Sequence, residues 1–166
     1  WQQLARDVSD GALQGCRVLD FGTAWAGCIP GHILADFGAE VIKIESQERV
    51  DLLRYGPGPR TPMRGKSWQQ ARECNPWFHD VNRGKLGVTI NFTTARGAAL
   101  IRELVRKSDV VIDNFTPDVL RKYNLHYDAL VTVKSDLIML STSVAGQHGP
   151  YRDTRAYAFN LHALSG

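Results

Sequence analysis

The chain has 166 residues, 43% hydrophobic and 22% charged, which supplies a core for one globular domain or part of a larger one and excludes intrinsic disorder. Twenty Lys and Arg against seventeen Asp and Glu leave a net charge of +3, too slight to indicate nucleic acid, while a locally basic pocket for a small anion stays open. No apolar run approaches the roughly 20 residues a bilayer requires, and residues 1–15 lack the basic start and apolar centre of a signal peptide. A soluble cytoplasmic chain without a membrane partner is therefore expected. Three cysteines, Cys16, Cys28 and Cys74, form no CxxC pair, which predicts reduced thiols rather than a disulfide framework or a zinc site.

Residues 1–15 are polar, end in glycine and read as a linker or leading arm. Arg17 to Phe21 is a short apolar run that predicts a strand. After the loop at residues 22–27 (GTAWAG), Ile29 to Phe37 reads as a helix with Ile33, Leu34 and Phe37 at helical spacing. Gly38 ends it and Glu40 to Glu45 resumes a strand, so residues 17–45 form one βαβ unit. Residues 46–82 are rich in Pro, Gly and charge and leave little room for a long regular element. A connection of that length is usually functional or covers something. Trp68, Trp77 and Phe78 within it either line a ligand cavity or pack the connection onto the sheet. Val88 to Ile90 reads as a strand edge, and Thr94 to Ser108 as an amphipathic helix with Leu100, Ile101, Leu104 and Val105 inward. Val110 to Ile112 is a buried strand, and Thr116 then caps a helix with Pro117 at its first position and Asp118 behind it. A short helix over Asp128 to Val133, a buried strand over Leu137 to Leu140, a glycine loop at 146–150 and a closing segment at 157–166 complete the chain.

Alternating strands and helices with nearly continuous apolar strands predict an α/β fold with a doubly wound parallel sheet. Ligands on such sheets bind at the carboxyl ends of the strands, here Phe21 to Gly27, the residues after Glu45, Asn114 to Pro117 and Ser141 to Gly149. A helix starting at Thr116 would offer unpaired N–H groups to a phosphate, with Arg121 and Lys122 in the same helix; on those residues alone a plain surface cap fits as well. No GxSxG elbow is present, and the loop at residues 22–27 lacks GxGxxG order, so neither a hydrolase nor a nicotinamide site is indicated. The five histidines show no HxxxH or HxxEH spacing, so no metal is expected. His148 sits in the glycine loop, where it either approaches substrate or stays on the surface. Asn91-Phe92-Thr93 and Asn114-Phe115-Thr116 match the glycosylation sequon, to which a cytoplasmic chain gives no use.

The blocks "LQGCRVLDFGTAWAGCIPGHILADFGAEVIKIES", "NRGKLGVTINFTTARGAALIRELVRKSDVVIDNFTPDVL", "LIMLSTSVAGQHGPYRD" and "LSG", in this order, resemble the amino-terminal part of the family III CoA-transferases, the CaiB/BaiF group, over residues 13–166. The resemblance implies a Rossmann-like large domain of which residues 16–166 are an incomplete, CoA-binding portion. It implies transfer of coenzyme A from an acyl-CoA to a carboxylic acid, and an interlocked homodimer or a pseudo-dimer of fused halves. For contacts with coenzyme A it implies Ala24, Trp25 and Ala26 at the thiol end, Ile90, Asn91, Phe92 and Thr93 as a further stretch, Asn114, Phe115 and Thr116 beside the ligand, and Lys122 and Arg155 at its phosphates. Such a ligand needs a cationic, N–H-rich place for phosphates and an apolar slot for adenine.

The family's nucleophile is an aspartate that forms a mixed anhydride and then a CoA thioester. The resemblance places it beyond residue 166, so no catalytic residue is expected within these residues and the segment alone is expected to be inactive. Three positions depart from the family pattern: Trp25 stands where a glutamine is frequent, Ala158 where an acidic residue commonly follows the Tyr, and Ser46 where a basic residue commonly follows the second strand's Glu. The racemase branch carries a histidine where this chain has Tyr157, which removes the base for α-proton exchange. A non-catalytic CoA-binding or assembly half of a fused or heteromeric transferase remains the alternative.

Overall fold

The computed structural model describes residues 11–55 and 67–166. Five strands, β1 (Arg17–Asp20), β2 (Glu40–Glu45), β3 (Lys85–Thr89), β4 (Val110–Asp113) and β5 (Ile138–Ser141), form one sheet in the order β3-β2-β1-β4-β5, every pair parallel. The order reverses between β1 and β4, which makes their carboxyl ends the switch point of a doubly wound, Rossmann-like sheet. The helices are α1 (Ala24–Asp36), α2 (Trp68–Glu73), α3 (Pro76–Asn82), α4 (Ala95–Val105), α5 (Tyr127–Leu130) and α6 (Ala158–Ser165).

Side chains alternate along a strand, so the inner strands β1, β2 and β4 each feed two cores, while the edge strand β5, expected to be buried, leaves Ile138 63% and Leu140 41% exposed. Leu19 and Val111 point toward α4, where Ala98, Ile101 and Val105 join Phe21, Ile44 and Phe92. Val18, Val41 and Ile112 point the other way, toward Leu34 and Ala35 of α1. Leu13 and Cys16 pack into that second cluster, and Leu13 N donates to Phe37 O at 2.9 Å, so the last residues of the expected leading arm lie against the α1–β2 corner. Residues 1–10 of that arm, and residues 56–66 of the long connection, fall outside the described residues.

Several expectations change. The helix expected from Ile29 begins at Ala24 and carries Pro30 inside it. Of the residues expected at its inner spacing, Leu34 is partly buried but Ile33 and Phe37 are about half exposed, because α1 turns its small residues Gly27, Cys28 and Gly31 to the sheet. The helix expected at Thr116 does not form: Asp118 adopts φ +65, outside the helical region, and only a 3-10 turn follows over Leu120–Tyr123, without a side-chain cap. Its N–H groups are therefore no phosphate-binding helix end. The second short helix is one turn, Tyr127–Leu130. Leu100, expected inward on α4, is 46% exposed, whereas Ile101 and Val105 are fully buried. The long connection contains the 3-10 turn Leu52–Arg54 with α2 and α3. Asn75 caps α3 through Trp77 N, with Pro76 at the first position, and Phe78 and Val81 pack with Cys28 and Leu53 under α1. Phe78 thus belongs to the packing, while Trp77 meets Trp25 edge to face at 5.3 Å.

Ile101→Ala is expected to cost about 2–5 kcal/mol through the cavity it opens, and Leu100→Ala to stay within about 0.5 kcal/mol. Equilibrium urea unfolding of the two variants measures the contrast, and equal losses would place α4 in the wrong rotation.

Candidate functional site

The loop between β1 and α1 is shaped by backbone contacts too close for side chains. A Cβ on Gly22 would sit 2.1 Å from Gly27 O, and one on Gly27 would sit 2.5 Å from the Asn114 side chain. Asn114 uses that space. Its Oδ1 accepts from Thr23 N at 2.9 Å and its Nδ2 donates to Thr23 O at 2.8 Å, tying the end of β4 to the end of β1. The first turn of α1 has no cap from its own Thr23 side chain; Asp51 Oδ1 accepts from Ala24 N at 3.0 Å and from Leu53 N at 2.9 Å instead.

Asp51 is fully buried and faces Lys43, whose Nζ lies 2.8 Å from Asp51 Oδ2 and donates to Gly22 O at 2.6 Å. The Cys28 thiol donates to the same carboxylate at 2.9 Å. A second buried pair lies beside it: Lys85 Nζ donates to Asp20 Oδ2 at 2.7 Å, Cys28 O at 2.8 Å and Asn82 Oδ1 at 3.0 Å, and Asp20 Oδ1 accepts from Gly22 N at 2.7 Å. Burial acts to raise the Asp51 carboxyl, but Lys43 and the hydrogen bonds outweigh it and hold it below its ordinary value. Burial acts to lower Lys43, and Cys28, Asp20 and Asp51 turn the balance upward. Burial pushes the Cys28 thiol up to about 12, so it is a hydrogen-bond donor at neutral pH rather than a nucleophile.

Above this charged floor opens a cavity of about 290 Å³, at the carboxyl ends of β1 and β2. Phe21, Phe92 and Phe115 wall it; Phe92 meets Phe21 edge to face at 5.5 Å, and Phe115 lies tilted against it at 5.7 Å. Glu45 on its rim accepts from Arg54 Nε at 2.9 Å and from Nη2 at 2.6 Å. Burial favours the neutral Glu45 acid, yet Arg54 and the Asp51 N–H prevail and lower it. A second cavity of about 310 Å³ lies at the ends of β4 and β5, where Asp113, Thr116, His126, Ser141 and Arg152 meet. Burial raises the Asp113 carboxyl despite hydrogen bonds from Ser141 Oγ at 2.5 Å and Phe115 N at 3.1 Å.

The expected contact residues divide accordingly. Ala24, Trp25 and Ala26 form the first turn of α1 rather than a loop, with Trp25 43% exposed. Phe92 and Phe115 share the first cavity, and Phe115 and Thr116 the second. Ile90 packs beside the α4-side core, while Asn91 donates to Glu48 and accepts from Thr93. Asn114 is occupied with Thr23. Lys122 and Arg155 are exposed and line neither cavity. Sequence reasoning missed Lys43, Asp51, Asp20 and Lys85. A lysine in the apolar strand "VIKI", on the same face as Val41, was a legible sign of a buried pair; nothing local marks Asp51 as its partner. Among the described residues no three His, Cys, Asp or Glu side chains form a metal-holding group, and no helix is long and apolar enough to cross a membrane.

Removing Lys43 leaves Asp51 buried and unpaired, so Lys43→Met is expected to cost about 3–5 kcal/mol and Lys43→Met/Asp51→Leu to recover part of it. Folded values of Asp51 and Glu45 below their unfolded values of ~4 give stability that is present above that pH and lost as pH falls through the folded values. Asp113, raised, acts in the opposite sense. Urea unfolding at pH 6 and at pH 3 reads both effects; an unaltered midpoint in Lys43→Met would contradict the pairing.

The sequence profile of the family described as CoA-transferase family III matches residues 13–166. The chain is 39% identical to the succinate–glutarate CoA-transferase of Agrobacterium fabrum, over 93% of this chain and 38% of that protein. It is 38% identical to the alpha subunit of the succinyl-CoA–L-malate CoA-transferase of Chloroflexus aurantiacus, over 93% of this chain and 34% of the subunit. The fold superposes on the crystal structure of a CaiB/BaiF family protein from Brucella suis with a TM-score of 0.80 at 36% identity, covering 94% of this chain and 39% of that one. The chain thus spans well under half the length of these relatives. Profile, relatives and superposed fold agree with the blocks read from the sequence, and the chain belongs to CoA-transferase family III.

Proposed function

We propose that the intact protein moves coenzyme A from an acyl-CoA donor to a carboxylic acid acceptor, and that residues 16–166 are its CoA-holding portion. The observation that carries this reading is the convergence of Phe92 and Phe115, from two stretches that the resemblance assigns to CoA, on one apolar-walled cavity at the carboxyl edge of the sheet. The acids in the names of both relatives, succinate with glutarate and succinyl-CoA with L-malate, are small dicarboxylates, which favours that class as the acid partners.

In this reading the chain's own residues bind and orient. Asn114 and Asp51 fix the turn from Gly22 into α1, so that Ala24 to Ala26 stand beside the thiol end, and Lys122 and Arg155 reach the phosphates from the surface. The chemistry belongs to an aspartate beyond residue 166. Its carboxylate attacks the acyl-CoA carbonyl and releases CoA thiolate, which attacks the resulting anhydride at the aspartyl carbonyl, freeing the donor acid and leaving an aspartyl thioester. The acceptor carboxylate then repeats the two steps in reverse. The active assembly is an interlocked pair of copies or of fused halves in the cytoplasm, which light scattering of the intact protein tests by mass. A second reading, a CoA-binding half that relies on a partner for the aspartate, is favoured by Trp25 in place of a polar side chain and by a relative that is named as one subunit of two.

Chromatography of CoA esters after mixing the intact protein with succinyl-CoA and glutarate is expected to show exchange, abolished when the downstream aspartate becomes alanine. Full exchange in that variant would remove the covalent route, and no exchange with any short dicarboxylate would favour the non-catalytic reading. Lys122→Ala and Arg155→Ala are each expected to weaken CoA binding by about 1–3 kcal/mol in calorimetric titration; unchanged affinity in both removes them from the phosphate site.

A further inference from the structure

Four ionisable side chains line the Phe92–Phe115 cavity, and three are compensated. Lys43 is paired with Asp51, and Glu45 with Arg54, both pairs largely sealed from water. The fourth is Arg49. Among the described residues no carboxylate reaches its guanidinium, which lies 6.0 Å from the centroid of the Phe115 ring. Its position is built rather than incidental. Ser46 N donates to Arg49 O at 3.1 Å, and Arg49 N donates to Ser46 O at 3.2 Å and Ser46 Oγ at 3.0 Å, so the turn at the end of β2 folds Arg49 back over the cavity. Asn91 Nδ2 donates to Glu48 Oε2 at 3.2 Å, which fastens the tip of this turn to the segment after β3 and holds Glu48 in a contact of its own.

An uncompensated guanidinium at the lip of a slot walled by aromatic rings fits a ligand that is flat, aromatic and anionic. Rings stack or meet edge to face against Phe92 and Phe115, and a phosphate takes the guanidinium fork through two parallel charge-assisted bonds. A purine nucleotide has both parts; a plain acyl chain has neither. We infer that Arg49 binds the phosphate on the ribose of an adenine nucleotide whose base enters the Phe92–Phe115 slot, and so selects for the phosphorylated adenosine end of the ligand. Resting on the CoA reading, that group is the 3′-phosphate of coenzyme A. The diphosphate is the other phosphate such a ligand offers, and the two are separable because 3′-dephospho-CoA keeps only the diphosphate.

The test is calorimetric titration of the intact protein and its Arg49→Ala and Arg49→Lys variants with CoA and with 3′-dephospho-CoA. The wild type is expected to prefer CoA, and Arg49→Ala to lose about 10- to 100-fold for CoA while its affinity for 3′-dephospho-CoA stays unchanged. Arg49→Lys keeps the charge without the fork and is expected to recover part of the preference. Arg49 lies exposed on a turn, so neither substitution removes core packing. Equal weakening of both ligands would assign Arg49 to the diphosphate, and no weakening of either would remove it from the site; each overturns the inference while leaving CoA binding in place. A wild type that binds neither ligand would overturn the CoA reading, and the Arg49 assignment with it.

Discussion

The carboxylate of Asp51 is the contact on which the rest of the site depends. It neutralises Lys43 beneath the sheet edge, accepts the Cys28 thiol and supplies the backbone cap that the first turn of α1 lacks. One oxygen therefore faces the buried cation and the other the helix start, and Gly22 O is held by the same lysine. An ion pair so enclosed is weak grounds for stability, since desolvation offsets most of its attraction. What it provides is position. With donors fixed on both oxygens, the turn from β1 into α1 has one low-energy arrangement, and the cavity above it inherits that shape.

The two faces of the sheet are built from different materials. On the α4 side the strands meet an uninterrupted apolar layer that ends in the aromatic cluster of Phe21, Phe92, Phe115 and Tyr123. On the α1 side Asp20, Lys43 and Lys85 sit among Val18, Val41 and Ile112, and the helix approaches closely enough to cover them only because Gly27 and Gly31 lack side chains; a Cβ on Gly31 would lie 2.7 Å from Asp20 Oδ2. The first cavity opens where these two faces meet, aromatic on one wall and polar on its floor. That combination suits a molecule with an aromatic base and several charges.

Departures from the family pattern acquire physical meaning in this setting. Ser46 holds a position where a basic side chain is common, and its hydroxyl is spent on closing the turn that brings Arg49 over the cavity. Trp25, in place of a polar side chain, meets Trp77 of α3, so the residue that differs is supported by the long connection rather than left in solvent on all sides.

The βαβ unit over residues 17–45 and the parallel sheet were legible in the sequence by itself, because the burial of the inner strands and the apolar stripe of α4 are written in local periodicity, and the order of its blocks pointed to the family; the face of α1 was not legible, since it packs through glycines rather than through Ile33 and Phe37. The starts of helices were less legible. The Thr116-Pro117-Asp118 signal has the chemistry of a helix start but forms none, since the backbone at Asp118 turns left-handed, while α1 begins at Ala24 after Thr23, whose side chain does not cap it. Its cap comes from Asp51, 27 residues away, and its anchoring loop is held by Asn114, 91 residues from Thr23. Pairings of that kind, like Phe92 with Phe115, depend on which strand ends the fold sets side by side. Sequence spacing carries local propensity and burial; it does not carry the distance between chain segments that meet only after the sheet has assembled, and the site is made of such meetings.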